Sequence, residues 1–124
     1  MADELILIVD DNAQNRKLAR DVLRFAGFRT LEADGGVKGV AAAVEHLPDL
    51  VLMDIRMPDM NGTEALRKLK DDERTAEIPI VALTSSTMLG DRERFLGEGF
   101  DGYLRKPISV REFPDQVRGH LKAS

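Results

Sequence analysis

Five polar residues follow or end short apolar runs in this sequence, and their types suit the binding of a cation and a phosphoryl group. Asp10 and Asp11 follow the first run, Asp54 and Thr84 lie near the ends of two later runs, and Lys106 follows the last. Three carboxylates in one pocket repel one another unless a cation compensates. Mg²⁺ prefers oxygen ligands and keeps coordination positions for a phosphoryl oxygen. A lysine adds a positive charge for that group. Together these residues indicate phosphoryl transfer with an aspartate nucleophile.

These side chains can meet only if the apolar runs before them lie side by side in one sheet. Short apolar runs alternate with segments of helical period, which predicts a parallel sheet with helices on its faces. Three runs are apolar at successive positions, as strands covered on both faces are; they span 5–9, 49–53 and 78–83. Two more mixed runs, 29–33 and 102–105, predict strands that are short or nearer the edges.

The predicted fold is a doubly wound α/β domain with five parallel strands in the order 2-1-3-4-5 and five helices. In open sheets of this class, ligands bind beyond the carboxyl ends of the strands, where the strand order reverses. The third strand lies between the first and the fourth in this order. Asp54 would therefore have Asp10 and Asp11 on one side and Thr84 on the other, in one compact cluster.

The spacing of apolar residues predicts which faces of the first two helices contact the sheet. The first helix is expected over about 14–26, with Leu18, Val22 and Phe25 on one side, and Gly27 suits the left-handed position after its end. In the second helix, apolar residues recur at i, i+3, i+4 and i+7 and predict one stripe that faces the sheet. That stripe consists of Val37, Val40, Ala41 and Val44.

Capping patterns predict where two later helices begin. Asn61 is followed three residues later by Glu64, a spacing found in capping boxes at helix starts. Ser109 and Glu112 repeat that spacing before the last helix. Pro114 would remove a backbone donor past the first turn if Ser109 were the cap, so we expect this helix to begin late or to bend.

Composition limits the classes of protein to which the chain can belong. Its 124 residues, 43% hydrophobic and 32% charged, predict one globular domain over 1–124 with no effector domain. The absence of cysteine excludes disulfides and thiolate metal sites and fits a cytoplasmic location. A net charge of −4 argues against nucleic acid as a partner. The apolar run at 5–9 is too short for a signal peptide or a membrane span.

Four segments resemble the signature of response-regulator receiver domains of two-component signalling, and the resemblance covers the whole chain. The segments are 10–11, 52–62, 83–85 and 103–107. The resemblance implies a flavodoxin-like fold and a receiver of the single-domain type, similar to chemotaxis receivers. It also implies that the protein catalyses only its own phosphorylation and dephosphorylation.

The resemblance assigns a role to each residue of the predicted cluster. It implies that Asp54 is the phosphoacceptor and that Mg²⁺ is the cofactor. Asp11 is then a direct Mg²⁺ ligand, Asp10 an acidic partner in the outer shell, and the backbone carbonyl of Arg56 a further ligand. Lys106 is the lysine that contacts the phosphoryl group.

The resemblance also implies how a signal enters and leaves the domain. A histidine kinase or a histidine phosphotransfer protein would supply the phosphoryl group. Thr84 and Tyr103 match the switch pair of the family, and Pro107 matches its cis proline. The segment 87–92 is similar to the corresponding loop of single-domain receivers and of receiver modules in hybrid kinases. A downstream signalling protein would bind through the face formed by about 91–121.

Two other functions are consistent with parts of the same pattern. A phosphatase of the haloacid dehalogenase type also uses an aspartate, Mg²⁺ and a lysine, but it needs a second acid two residues after the nucleophile, where this chain has Arg56. A phosphorylation-independent scaffold resembling a receiver usually lacks an acidic residue or the lysine, and this chain has them all. His46 and His120 are interpreted as surface residues rather than phosphodonors or ligands.

Overall fold

A parallel five-stranded sheet with helices on both faces forms the domain. The structure is a computed structural model that describes residues 3–85 and 90–121. The strand order is β2-β1-β3-β4-β5, and every strand pair is parallel, so the predicted class and order are confirmed. The elements are β1 Leu5–Val9, α1 Ala13–Phe25, β2 Arg29–Ala33, α2 Gly36–His46, β3 Leu50–Asp54, α3 Gly62–Asp71, β4 Ile80–Thr84, α4 Asp91–Glu98, β5 Gly102–Arg105 and α5 Phe113–His120.

The three central strands are buried on both faces, which explains why their sequences are apolar at successive positions. Alternate residues of β1 point to opposite sides, with Leu7 and Val9 in one core layer and Ile6 and Ile8 in the other. The first layer packs under α2, α3 and α4, and the second under α1 and α5. Within the described residues, no helix is long and apolar enough to cross a membrane.

The prediction for the sheet-facing side of α1 is right at Val22 but wrong at Leu18 and Phe25. Ala19, Val22 and Leu23 are buried, whereas Leu18 is 40% exposed and Phe25 is 96% exposed. The stripe that contacts the sheet includes a small alanine, which a search for large apolar side chains passes over. The end of the helix agrees with the prediction, because Gly27 follows it with a φ of 100°.

The predicted stripe of α2 is only partly right: Val40 packs against the core, but the closest contacts with the sheet use the smallest residues. Gly36, Gly39 and Ala43 are buried, whereas Val37 is 55% exposed. A Cβ added at Gly39 would lie 2.8 Å from Cγ1 of Val9. The helix backbone therefore lies directly against β1, and the valines are displaced to the sides of the contact.

The starts of α3 and α5 follow the capping signals, with one shift. Asn61 Oδ1 accepts a hydrogen bond from the backbone N–H of Glu64 at 2.9 Å, as expected for a cap. The last helix begins only at Phe113, although the Glu112 N–H does donate to Ser109 Oγ at 3.3 Å. Pro114 thus lies in the first turn, where its missing N–H leaves no intrahelical bond unmade.

Truncation of a central core residue is expected to destabilise the domain strongly. Leu52 is fully buried in β3, so Leu52→Ala removes apolar contacts and leaves a cavity. We expect the free energy of unfolding to fall by about 2–5 kcal/mol, measured by urea denaturation. Leu18→Ala is the matched control and should cost less than about 1 kcal/mol, because Leu18 is 40% exposed. Equal losses in the two variants would contradict the assignment of the core.

Candidate functional site

The carboxyl ends of the central strands meet in one polar cleft. The register pairs Val9 with Met53 and Asp54 with Leu83, so the residues just after β1 lie beside the end of β3. The cleft has a volume of about 470 Å³. All five residues of the predicted cluster line it, together with five others. The lining residues are Asp10, Asp11, Asn12, Asn15, Asp54, Ile55, Arg56, Thr84, Ser85 and Lys106.

Three carboxylates converge in this cleft, and two of them contact a single ammonium group. One carboxylate oxygen from each of Asp10, Asp11 and Asp54 lies within 4.8 Å of the others. Asp10 is 1% exposed and Asp54 is 7% exposed, whereas Asp11 is open to solvent. Nζ of Lys106 lies 2.7 Å from Asp10 Oδ2 and 3.2 Å from Asp54 Oδ1. The cluster has more negative than positive charge, and its oxygen donors are those that a hard divalent cation prefers.

Burial and charge shift the proton affinity of both partners in the Asp54–Lys106 pair. Burial raises the pKa of Asp54 to about 6, with a further contribution from the negative charge of Asp10, although Lys106 works in the opposite direction. Burial alone would lower the pKa of Lys106, but its hydrogen bond to Asp10 and the charge of Asp54 outweigh burial and raise that pKa. Lys106 therefore remains a cation beside the cluster at neutral pH.

The turn after β1 fixes Asp10 through contacts that the sequence analysis did not find. Asp10 Oδ1 accepts a hydrogen bond from the backbone N–H of Asn12 at 2.9 Å. Asn12 itself caps α1, since its side chain accepts from the N–H groups of Gln14 and Asn15. Arg16 Nη1 donates to the backbone carbonyl of Asp10 at 2.7 Å. Asn12 before a helix was recognisable as a cap, but nothing in the sequence marks Arg16.

Hydrogen bonds fix the loop between β3 and α3: one joins its two ends, and others hold its middle. The Gly62 N–H donates to the Ile55 carbonyl at 2.8 Å, and a Cβ added at Gly62 would lie 2.5 Å from the Asp54 carbonyl oxygen. Asp59 accepts hydrogen bonds from the N–H groups of Gly36 and Val37, at 3.1 Å and 3.0 Å. These backbone bonds, that of Val37 first, lower the pKa of Asp59. Arg56 is exposed on this loop and lines the cleft.

The second residue of the predicted switch pair lies outside the cleft lining. Tyr103 is half-buried rather than exposed, and its ring stacks on Phe95 of α4 with centroids 5.8 Å apart and planes at 22°. Thr84 is 6% exposed at the end of β4. The Lys106–Pro107 peptide bond is cis. Of the predicted 87–92 segment, residues 87–89 lie outside the described part of the chain.

The two histidines are in different environments. His46 is exposed at the end of α2, as predicted. His120 is only partly exposed, because its imidazole ring packs on Gly102 where a Cβ would collide with it. His120 is thus at the surface, as predicted, but one side of its ring is covered by β5. Neither histidine lines the cleft.

Comparison with known proteins identifies the family to which this cleft belongs. A model of the response regulator receiver domain matches residues 6–118. The chain belongs to the response-regulator receiver family. A curated relative, the polar-differentiation response regulator DivK of Brucella ovis, is 41% identical over 116 residues, which are 94% of each chain. Receiver domains of this family act in two-component signalling with histidine kinases and downstream partners.

Solved receiver structures share the fold closely. The chemotaxis protein CheY4 of Vibrio cholerae has a TM-score of 0.89 at 26% identity, over 97% of this chain and 100% of its own. The receiver domain of the sensor histidine kinase PA1611 from Pseudomonas aeruginosa has a TM-score of 0.86 at 34% identity, over 95% and 97%. That receiver domain has a magnesium ion coordinated in its active-site cleft.

The raised pKa of Asp54 predicts that the ionised site destabilises the metal-free receiver domain. A carboxyl with a pKa of about 6 binds its proton more tightly in the folded state than in the unfolded state. The free energy of unfolding therefore falls as pH rises from about 4 to about 6. With chelator at pH 7.5, Asp54→Asn should therefore be more stable than the wild type by on the order of 2 kcal/mol.

Urea denaturation at pH 7.5 and pH 4 measures this difference. It should be much smaller at pH 4, because the folded carboxyl is then protonated and the unfolded one, whose ordinary pKa is 3.8, is only partly ionised. Asp34→Asn is the matched control. Asp34 follows β2 and so lies at the same carboxyl-terminal end of the sheet. Its side chain is exposed and pairs only weakly with Lys38, at 3.6 Å. A stability difference for Asp54→Asn that is the same at both pH values would contradict the electrostatic origin.

Proposed function

We propose that this receiver domain accepts a phosphoryl group on Asp54 from the phosphohistidine of a histidine kinase or a histidine phosphotransfer protein, and that phosphorylation changes its partner binding. The main support is the position of the Asp54 carboxylate, which ends a central strand in a cleft 3.2 Å from the ammonium of Lys106. The family relationship supports the same reaction.

The residues of the cleft suit the transfer chemically. A carboxylate oxygen of Asp54 attacks phosphorus, the bond from phosphorus to the imidazole nitrogen breaks, and that nitrogen keeps the electron pair and takes up a proton. The result is an aspartyl phosphate and a free histidine on the donor. Lys106 now bridges Asp10 and Asp54 and is placed to contact the phosphoryl oxygens. The hydroxyl of Thr84 lines the same cleft.

The donor set fits Mg²⁺ as the cofactor. Asp11 and Asp54 would hold the ion through their carboxylates and Arg56 through its backbone carbonyl, with Asp10 as an outer acidic partner. Three carboxylates against one ammonium leave negative charge that a divalent cation offsets, and all the available donors are oxygen atoms. The bound ion would neutralise charge on the transferred phosphoryl oxygens.

A signal at the cleft would leave through the surface of α4, β5 and α5, within 91–121. We propose that Thr84 moves towards the phosphoryl group and that Tyr103 then changes its packing. The stacked pair of Tyr103 and Phe95 supports this route, because it joins β5, the neighbour of β4, to α4. A few kcal/mol of differential affinity is enough to shift such a two-state equilibrium. The proposed partners are signalling proteins, with neither nucleic acid nor membrane among them.

The two alternative functions receive less support from the site. Arg56 stands two residues after Asp54 with its side chain exposed, so the second acid of a haloacid dehalogenase phosphatase is missing at that position. A phosphorylation-independent scaffold has no need of three converging carboxylates and a lysine, which the cleft holds together. A stable aspartyl adduct would separate the proposed function from both, because the scaffold forms none and the phosphatase turns substrate over.

Phosphorylation should require Asp54 and Mg²⁺ together. Incubation of the wild type with acetyl phosphate and Mg²⁺ should add one phosphoryl group by intact-mass spectrometry, and Asp54→Asn should add none because it lacks the nucleophile. Asp11→Asn should be phosphorylated at least about tenfold more slowly, since even outer-sphere changes at metal sites cost that much. Asp34→Asn, the exposed control, should match the wild type. Equal incorporation in Asp54→Asn would refute the phosphoacceptor assignment.

Loss of the Thr84 hydroxyl should separate phosphorylation from signalling. In the wild type, beryllofluoride with Mg²⁺ should shift the amide resonances of α4 and β5 as well as those of the cleft. Thr84→Ala should bind beryllofluoride but lose most of the shifts in α4 and β5, because the moving group is gone. Thr84→Ser keeps the hydroxyl and should retain them.

If the α4 and β5 shifts persist in Thr84→Ala, the coupling through Thr84 is wrong.

Pull-downs from a lysate, with and without beryllofluoride and with Tyr103→Ala, test the output surface. Identical partner sets in all samples would contradict switching at this face.

A further inference from the structure

The loop between β3 and α3 is attached to the start of α2 through one carboxylate. Asp59 Oδ1 accepts from the Gly36 N–H at 3.1 Å, and Oδ2 accepts from the Val37 N–H at 3.0 Å. Both donors belong to the first turn of an 11-residue helix, whose N-terminal N–H groups have no intrahelical acceptor. The pair of bonds therefore satisfies two backbone donors and fixes both oxygens of the carboxylate.

Two glycines allow the loop to approach the helix this closely. A Cβ added at Gly35 would lie 2.8 Å from Asp59 Oδ1, and one at Gly36 would lie 2.8 Å from the Cβ of Met60. Gly35 has extended backbone with a φ of −170°, which any residue can adopt. Space, rather than backbone conformation, is therefore what requires a glycine there. A side chain at either position would push the loop away from α2.

The attached segment contains a backbone group that the proposed function uses. The loop is closed behind Asp54 by the bond from the Gly62 N–H to the Ile55 carbonyl. Arg56 and Asp59 lie between these two points, and Arg56 lines the cleft beside Asp11. Met57 is 8% exposed and packs in the core, which leaves Asp59 as the polar anchor on the far side of the loop.

We propose that Asp59 is a positioning residue for the phosphoacceptor site, which holds the Arg56 carbonyl at the cleft by fixing the loop to α2. This inference rests on the proposed function, since it assumes that the Arg56 carbonyl is a Mg²⁺ ligand. Asp59 itself does not line the cleft and contacts none of its acidic residues among the contacts described. It acts through the loop backbone, so its loss should weaken cation binding more than it slows the reaction once the cation is bound.

Four variants distinguish the effect of loop position on cation binding from the effect of a lost negative charge. Asp59→Ala removes both hydrogen bonds and one negative charge, and Asp59→Asn removes the charge but keeps one oxygen acceptor. Gly36→Ala changes no charge and forces α2 away from Met60. Asp34→Ala removes a negative charge beside the same helix start without touching the loop, because Asp34 is exposed and pairs with Lys38.

Titration with Mg²⁺ alone, followed by the amide resonances of the cleft and of the α2 start, gives the dissociation constant of each variant. Disruption of a group that supports a metal ligand weakens metal binding by about tenfold to a hundredfold. We expect about a tenfold weaker Kd for Asp59→Ala and for Gly36→Ala, a smaller loss for Asp59→Asn, and a wild-type Kd for Asp34→Ala. Phosphorylation by acetyl phosphate at saturating Mg²⁺ should match the wild type in all four variants, because none of the three positions lines the cleft.

Each outcome decides the inference. A wild-type Kd in Gly36→Ala together with a weak Kd in Asp59→Ala would assign the effect to charge and overturn the positioning role. A wild-type Kd in Asp59→Ala would overturn it directly. If Asp59→Ala does not fold, Gly36→Ala and Asp59→Asn decide the question alone. A wild type that binds Mg²⁺ but is never phosphorylated would refute the proposed function and leave the loop measurement valid, whereas a wild type that binds no Mg²⁺ would overturn both.

Discussion

Repulsion between the buried carboxylates of Asp10 and Asp54, relieved by one shared ammonium, is the constraint on which the site is built. Asp10 is almost completely buried, so its two oxygens need partners, and they find them in the Asn12 N–H and in Lys106. The sheet provides this arrangement because its strands are parallel, so the residues that follow β1, β3 and β5 all lie at the carboxyl-terminal end of the sheet. Burial at this position, together with the negative charge of Asp10, raises the pKa of Asp54.

The strands and the cleft were predictable because burial on both faces leaves a simple mark in the sequence. A run such as 5–9 has no polar position, and the residues just beyond the runs carry the chemistry. The faces of α1 and α2 were not predictable in the same way. Hydrophobic patterns give most weight to valine and leucine, whereas α2 packs on β1 through Gly39 and Ala43, where small size matters more than hydrophobicity.

Contacts that depend on loop geometry could not be predicted from the sequence either. Asp59 is 23 residues from Gly36, and Arg16 reaches back from α1 to a carbonyl of the preceding turn. Both contacts join a side chain to a backbone group, and a backbone group has no residue type to recognise. His120 shows the same limit, because its packing on Gly102 joins α5 to β5 and leaves no pattern in the local sequence. Backbone partners therefore become visible only once the elements are placed.

The stacking of Tyr103 on Phe95 gives the molecule a spectroscopic property of its own. The chain has one tyrosine and no tryptophan, so its near-ultraviolet absorption and its intrinsic emission above the weak phenylalanine signal arise from this single ring. That ring is in β5 and its stacking partner is in α4, at the junction of two elements rather than inside one. Its optical signal therefore reports the local geometry of that junction, without any added label.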